Sequence, residues 1–240
     1  MKILITGVKG FIGHHLYKIL AQDIEIYGID NCSGLACDER DVPYVHGNLI
    51  DCDLPEDVTH VIHLAGRTSV GASWIPDNIE RFYVDNFLVS ERIFNFYKDI
   101  PVLYATSSSV LEMKSPYAMT KKLIEHIAPS NAIGMRFFTV FGEKGRPDML
   151  YRMAQERRVE YLTENKRDFT PIEYVVDCIQ TILEKGVMGN CYDIGTGISR
   201  TPKEFLDYCN IKIPQVQYIQ KYDESLNTCA NTLKMKDLLD

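Results

Sequence analysis

The sequence predicts an α/β protein of Rossmann type, a doubly wound parallel sheet carrying a small C-terminal substrate-binding lobe. Two features lead there. Short apolar runs rich in β-branched and aromatic residues end in Gly, Asp or Ser, and amphipathic stretches lie between them with short links. Such runs read as strands buried on both faces. Their alternation with helices gives a parallel sheet covered on both sides.

In chain order the strands are KILITG (2–7), IEIYGID (24–30), VIHLAG (61–66), VLYATS (102–107) and IGMRFF (133–138). Helical periodicity fills the gaps over 11–22, 78–98 and 116–128. After about residue 143 the rhythm loosens. IEYVVDCIQTILEK (172–185) and TPKEFLDYCN (201–210) read as helices, and YLTENKRDF and CYDIGTG as short strands or loops. The expected division is a Rossmann domain over 1–143 and a lobe over 144–240, with the chain crossing back over 167–195.

Composition narrows the class. The 240 residues suffice for one large core, and a net charge of −7 argues against nucleic acid or an anionic membrane as partner. Seven scattered cysteines without a CxxC pair fit neither a disulfide framework nor a zinc site, so no metal is expected. His14 and His15 are adjacent on a helix and point apart, which denies them a shared metal. There is no apolar run of membrane-spanning length, and MKILITG reads as a strand rather than a signal peptide. A cytoplasmic protein is expected.

The chemistry-bearing residues begin with GVKGFIG, where Gly7, Gly10 and Gly13 stand between the first strand and first helix. The first glycine permits the tight turn, the second lets backbone approach a pyrophosphate, and the third lets the helix pack close on the sheet. Asp30 ends the second strand, placed to accept from a ribose 2′-hydroxyl and to repel a 2′-phosphate, which favours NAD over NADP. Tyr117 and Lys121 are four apart in a helix and share a face. An ammonium beside a phenol stabilises the phenolate, giving a tyrosine able to take a hydroxyl proton. Ser107 ends the preceding strand, within reach of the tyrosine oxygen and a substrate hydroxyl.

Together with IDN (29–31), GNL (47–49), HLAG (63–66), YATSSSV (104–110), SPYAMTK (115–121), RFFTVFG (136–142), RPDM (146–149), RDFTPIE (167–173) and YDIGTG (192–197), these motifs resemble the NAD-dependent sugar-nucleotide epimerase/dehydratase family of extended short-chain dehydrogenase/reductases. The resemblance covers nearly the whole chain. It implies that Gly7, Gly10, Phe11, Ile12 and Gly13 cradle NAD, Asp30 and Asn31 hold the adenosine ribose, and Asn48 and Leu49 flank adenine. Leu64, Ala65 and Gly66 would line the diphosphate and ribose path, and Asn86 and Phe137 would lie near the nicotinamide. Tyr117 and Lys121 would hold its ribose and, with Ser107, form the catalytic set. Arg167 would meet the diphosphate of a UDP-sugar, and Lys221 aligns with a second family arginine, keeping the charge without the fork.

Dehydratases of the family carry an Asp-Glu pair after the strand-end Ser/Thr, and here Ser108 and Ser109 stand instead. Elimination then lacks an acid and a base, leaving 4-epimerisation. RFFTVFGEKGRPDM resembles UDP-glucuronate 4-epimerases, with Thr139, Ser108, Ser109 and Arg146 as donors for a C5 carboxylate. SVGASW (69–74) looks more like UDP-glucose 4-epimerases, so a UDP-glucose or UDP-N-acetylglucosamine 4-epimerase is the alternative; a non-catalytic NAD-binding protein and a reductase making a net redox change stay open. Relative to the family the Ser107–Tyr117 link and the stretch between Asp30 and Asn48 are short. A homodimer through helices 78–98 and 116–128 is implied, with Phe82, Phe94, Phe96 and Tyr97 either at that interface or in the core.

Overall fold

The apolar runs condense into sheets and the amphipathic stretches pack against them, as a computed structural model describing residues 1–221 and 224–239 shows. The strands are β1 (Lys2–Thr6), β2 (Glu25–Asp30), β3 (Val45–His46), β4 (His60–His63), β5 (Val102–Ser107), β6 (Ala132–Phe137), β7 (Thr139–Phe141), β8 (Tyr161–Leu162), β9 (Lys166–Pro171), β10 (Cys191–Ile194), β11 (Ser199–Arg200), β12 (Gln217–Tyr218) and β13 (Asn227–Thr228). The helices are α1 (Phe11–Leu20), α2 (Pro76–Phe82), α3 (Val89–Phe96), α4 (Pro116–Ile127), α5 (Leu150–Gln155), α6 (Ile172–Lys185), α7 (Pro202–Tyr208) and α8 (Leu233–Leu239).

Seven strands form one parallel sheet in the order β10-β6-β5-β4-β1-β2-β3. Its register is fixed by pairs such as Thr6↔Ile29, Thr6↔His63 and Ser107↔Phe137, so the chemistry-bearing strand ends line up at one edge. Ile3, Leu4 and Ile5 of β1 are fully buried because helices cover both faces. One face packs on α1, α6 and α8 through Leu16, Ile179 and Met235. The other packs on α3 and α4 through Ile93, Phe94 and Ile124.

The small lobe has its own core, in which Phe169 of β9 stacks on Phe205 of α7 with ring centroids 3.8 Å apart. In its sheet β9 pairs with β7, β11 and β13. The chain then returns to the large sheet: α6 and β10 join its core, and so does α8, an element outside the expected 167–195 crossing. CYDIGTG therefore opens with the seventh strand of the central sheet. Its period-two signal is too short to separate from a loop, and pairing with β6 decides it.

The expected single helix over 78–98 is interrupted. Between α2 and α3 the residues Tyr83–Leu88 form a π-helical turn, whose wider winding turns Asn86 inward. Phe82, Phe94 and Tyr97 are buried within the chain, so of the four aromatics only Phe96 is exposed.

The lobe is tied to the sheet by one buried carboxylate. Asp168 of β9 accepts from Thr196 N (2.9 Å) and Gly197 N (2.8 Å) in the turn after β10, and from Ala230 N (3.2 Å). Removing it strands the buried Ala230 amide and the part-buried bonds of Thr196 and Gly197. Asp168→Ala is expected to cost about 3–5 kcal/mol and to lower Tm by about 10 °C, measured by calorimetry; a shift of only a degree or two refutes this role.

Candidate functional site

Strand ends, the glycine turn and the lobe enclose one cleft of about 1010 Å³. Every residue singled out from the sequence lines it except Asn86. Its floor is backbone. Gly7 has φ +70°, and a Cβ there would lie 2.7 Å from Ala65 N. A Cβ on Gly13 would lie 2.3 Å from Gly7 O and one on Gly10 2.9 Å from the same atom, so only glycine leaves this cradle open beneath the N-terminus of α1. Asp30 Oδ2 accepts from Lys9 N (2.9 Å) and Oδ1 from Cys32 N (2.7 Å), which fixes the carboxylate at the cleft wall. An open glycine cradle, a carboxylate at the end of β2 and a long cleft between them fit a dinucleotide.

Ser115 caps α4 by accepting from Ala118 N (3.1 Å), and Pro116 begins the helix. This start places Tyr117 and Lys121 one turn apart on the cleft side. Lys121 is buried, its Nζ donating to Ala105 O at 3.1 Å, and burial lowers its pKa to about 8. Tyr117 departs from the expectation of an acidified phenol. Burial raises its pKa, opposed by a hydrogen bond with Ser107 and by the charge of Arg146. The Ser107 hydroxyl also lies 3.2 Å from Ser109 Oγ, because the short link after β5 folds as a 3₁₀ turn, Ser108–Leu111.

Asn86 is a correction to the sequence reading: it is 0% exposed and behind the cleft wall rather than on it. Its Oδ1 accepts from Arg67 N (2.7 Å), and its Nδ2 donates to Arg67 O (3.1 Å) and Thr120 Oγ1 (3.0 Å). It therefore fixes the Gly66–Arg67 loop against α4. His63 supports the same loop. Ser90 spends its hydroxyl hydrogen on Asn86 O (2.6 Å), so His63 Nε2 must donate to Ser90 Oγ (3.0 Å). Its Nδ1 then accepts from Thr6 Oγ1 (2.7 Å), which in turn accepts from Ala65 N (3.3 Å).

The cations singled out from the sequence on the cleft wall beside Tyr117 and Lys121 are already paired. Arg146 forks to Asp148 (2.9 and 2.6 Å) and its Nη1 reaches Thr68. Arg167 meets Glu224 at 3.0 Å and Lys221 meets the same carboxylate at 3.3 Å, so one acid offsets half of their charge. Arg67, also on the cleft wall, pairs with Asp85 at 2.9 Å. Sequence reading missed Glu224, Arg67 and Asp148 as partners: Glu224 lies 57 residues from Arg167 and Arg67 lies 18 from Asp85, whereas Asp148 stands two residues from Arg146 within RPDM. Ser108, Ser109 and Thr139 line the same cleft. Among the described residues no group of three or more His, Cys, Asp or Glu is arranged to hold a metal, and no helix is long and apolar enough to cross a membrane.

The model of the NAD dependent epimerase/dehydratase family matches residues 3–195. The chain is similar to the uncharacterized UDP-glucose epimerase YtcB of Bacillus subtilis, 29% identical over 246 residues, spanning 83% of this chain and 76% of that one. It is 29% identical over 232 residues to UDP-glucuronate 4-epimerase 6 of Arabidopsis thaliana, covering 73% of this chain and 50% of the plant protein. Among solved structures, UDP-glucuronic acid 4-epimerase from Bacillus cereus in complex with UDP-glucuronic acid and NAD superposes with a TM-score of 0.86 and 25% identity, covering 100% of this chain and 93% of that one.

The buried histidine gives the site a pH signature. Burial, aided by the charge of Lys121, lowers the His63 pKa from 6.5 to about 3. Below pH 6.5 the unfolded chain takes up a proton that the folded one refuses, so stability falls with pH until about 3. The expected slope from this group is about 1.4 kcal/mol per pH unit. Denaturant titrations from pH 7 to pH 4 should show it in the native chain and not in His63→Gln; equal slopes in both refute the neutral, buried assignment.

Proposed function

The chain belongs to the NAD dependent epimerase/dehydratase family, and we propose that it inverts C4 of a UDP-sugar, with UDP-glucuronate as the preferred substrate. The observation that carries the reading is the convergence of Ser107, Tyr117 and Lys121 at the middle of a cleft that fits a dinucleotide at one end and carries paired arginines at the other. Similarity to 4-epimerases named for UDP-glucuronate supports it.

The glycine turn of Gly7, Gly10 and Gly13, with Phe11 and Ile12, would cradle the NAD diphosphate, and Asp30 with Asn31 would take the adenosine ribose. Asn48 and Leu49 would flank adenine, and Leu64, Ala65, Gly66 and Phe137 would form the wall toward the nicotinamide. When bound, oxidised NAD supplies a reversible hydride acceptor and a positive charge in the cleft. Tyr117 Oη takes the proton of the C4 hydroxyl and later returns it, while Ser107 Oγ holds that oxygen in line. Lys121 Nζ, free of any carboxylate, favours the phenolate. Burial alone leaves the phenol above its ordinary value, so the base becomes competent only when the site is loaded. Ser108 and Ser109 provide no carboxylate, which leaves dehydration without an acid and a base.

Thr139, Ser108, Ser109 and Arg146 would hold the C5 carboxylate. Asp148 occupies Nε and Nη2 of Arg146 and Thr68 occupies Nη1, so a substrate carboxylate would take Nη1 by displacing the Thr68 hydroxyl. Arg167 and Lys221 would meet the UDP diphosphate, displacing Glu224. The seven free thiols suit a reducing cytoplasm.

The chain would pair with a second copy through α2, the π-helical turn and α4. An apolar stripe there lies open: Ile79 is 45% and Met119 56% exposed, with Tyr83 and Leu123 beside them in sequence steps of four. Phe96 lies apart from this stripe in the chain.

Incubation with UDP-glucuronate, UDP-glucose and UDP-N-acetylglucosamine, each followed by NMR, tests the reaction. Tyr117→Phe should lower kcat by roughly 10²–10⁴, and Arg146→Met should raise KM for UDP-glucuronate about tenfold while sparing the neutral sugars. Conversion of the neutral sugars alone would sink the carboxylate assignment. Sedimentation velocity should show a dimer that Met119→Lys with Leu123→Asp converts to monomer; an unshifted profile would place the interface elsewhere.

A further inference from the structure

Arg40 is 1% exposed. Its Nη1 donates to the carbonyls of Lys9 (3.2 Å) and Leu35 (3.1 Å), and its Nη2 to that of Lys144 (2.9 Å). Among the described residues no carboxylate hydrogen-bonds to it and Nε has no hydrogen-bond partner; the charges of Glu39 and Asp30 act on it only from a distance. A buried guanidinium without a paired anion is costly. The three carbonyls come from three distant segments: the glycine turn, the stretch after β2, and the entry to the lobe after β7.

The preceding residue crosses the same gap. Glu39 Oε1 and Oε2 accept a fork from Nη2 and Nη1 of Arg152 (2.8 and 2.7 Å), which stands on α5. Arg152 is held in turn by Glu156 (2.8 Å) and by the Gly145 carbonyl (3.1 Å). The stretch contributes Ser33, Leu35 and Arg40 to one side of the cleft, and α5 with its approach contributes Met149 and Met153 to the other. Two sequence neighbours thus bridge both walls.

We propose that residues 33–40 form a clasp that retains the cofactor between turnovers, closed by Arg40 and by the Glu39–Arg152 bridge, with Arg40 lending its unpaired charge to the diphosphate of the dinucleotide. The proposal rests on the cleft holding NAD. A dianion in the same cleft supplies the counter-charge that the fold omits, so bound cofactor and closed clasp stabilise each other. An epimerase regenerates its NAD in each cycle and loses nothing by slow exchange, whereas a net reductase must release it. Arg40, Glu39 and Arg152 are positioning residues here; none is placed at the reacting carbon.

NAD release from the purified holoenzyme, measured without sugar nucleotide by trapping freed NAD in a coupled dehydrogenase assay, tests it. Glu39→Arg and Arg152→Glu should each speed release by about threefold or more, and the doubly reversed pair should return toward the native rate. Arg40→Met should speed release about tenfold. Native release rates in both single reversals, or a double reversal no slower than the singles, overturn the clasp; these variants decide the matter even where Arg40→Met does not fold. Faster release in a protein that converts no UDP-sugar would uphold the clasp and sink the epimerase reading. Unchanged release with intact epimerisation would do the reverse.

Discussion

The site depends on a row of missing side chains. Gly7, Gly13 and Gly66 let the ends of β1 and β4, the start of α1 and the Lys121 ammonium approach more closely than any Cβ allows. A Cβ at Gly66 would lie 2.9 Å from Asn86 Oδ1 and 3.2 Å from Lys121 Nζ. Because the cleft floor is backbone, a flat polyanionic cofactor can lie against amides, and the lysine can reach the middle of the cleft from α4. Alanine at Gly7 or Gly13 would move backbone, and alanine at Gly66 would press on the Asn86 amide and the Lys121 ammonium.

Around that floor, polar groups fully buried in protein do the positioning. Thr6, His63, Ser90 and Asn86 form a one-way hydrogen-bond chain that ends on the Gly66–Arg67 loop and, through Thr120, on α4. A second network joins Arg136 of β6 to Glu125 of α4 (3.0 Å) and Asp193 of β10 (2.8 Å), fixing the outermost strand and α4 to the sheet. Such networks are worth their desolvation only when every member is satisfied. The pairing of Arg146, Arg167 and Lys221 with acids follows the same logic: each of these cations is held in place by a carboxylate of the chain.

The compact lobe shows how the shortened chain still closes the cleft. The brief link after β5 becomes a single 3₁₀ turn that sets Ser108 and Ser109 on the cleft wall. The short stretch after β2 does not leave the cofactor side open, because Glu39 and Arg40 fasten it to α5 and to the lobe entry. At the cofactor end, long-range ion pairing thus compensates for the short stretch.

By itself the sequence determined the strand and helix alternation, the glycine turn, Asp30, and the Tyr117–Lys121 pair, because each rests on contacts within a few residues: period, capping and one helical turn. The Ser115–Pro116 start placed both catalytic candidates without any tertiary information. Tertiary structure alone decided that β10 and α8 return to the large sheet, that Asn86 lies behind the wall in a π-helical turn, and that the Tyr117 phenol is raised rather than acidified. It alone also paired Arg167 and Lys221 with Glu224, and Arg152 with Glu39. Apart from the Lys221–Glu224 pair, three residues apart, the reason is common: burial and ion pairing are set by which distant segments the sheet brings together, and no local pattern in the chain encodes them.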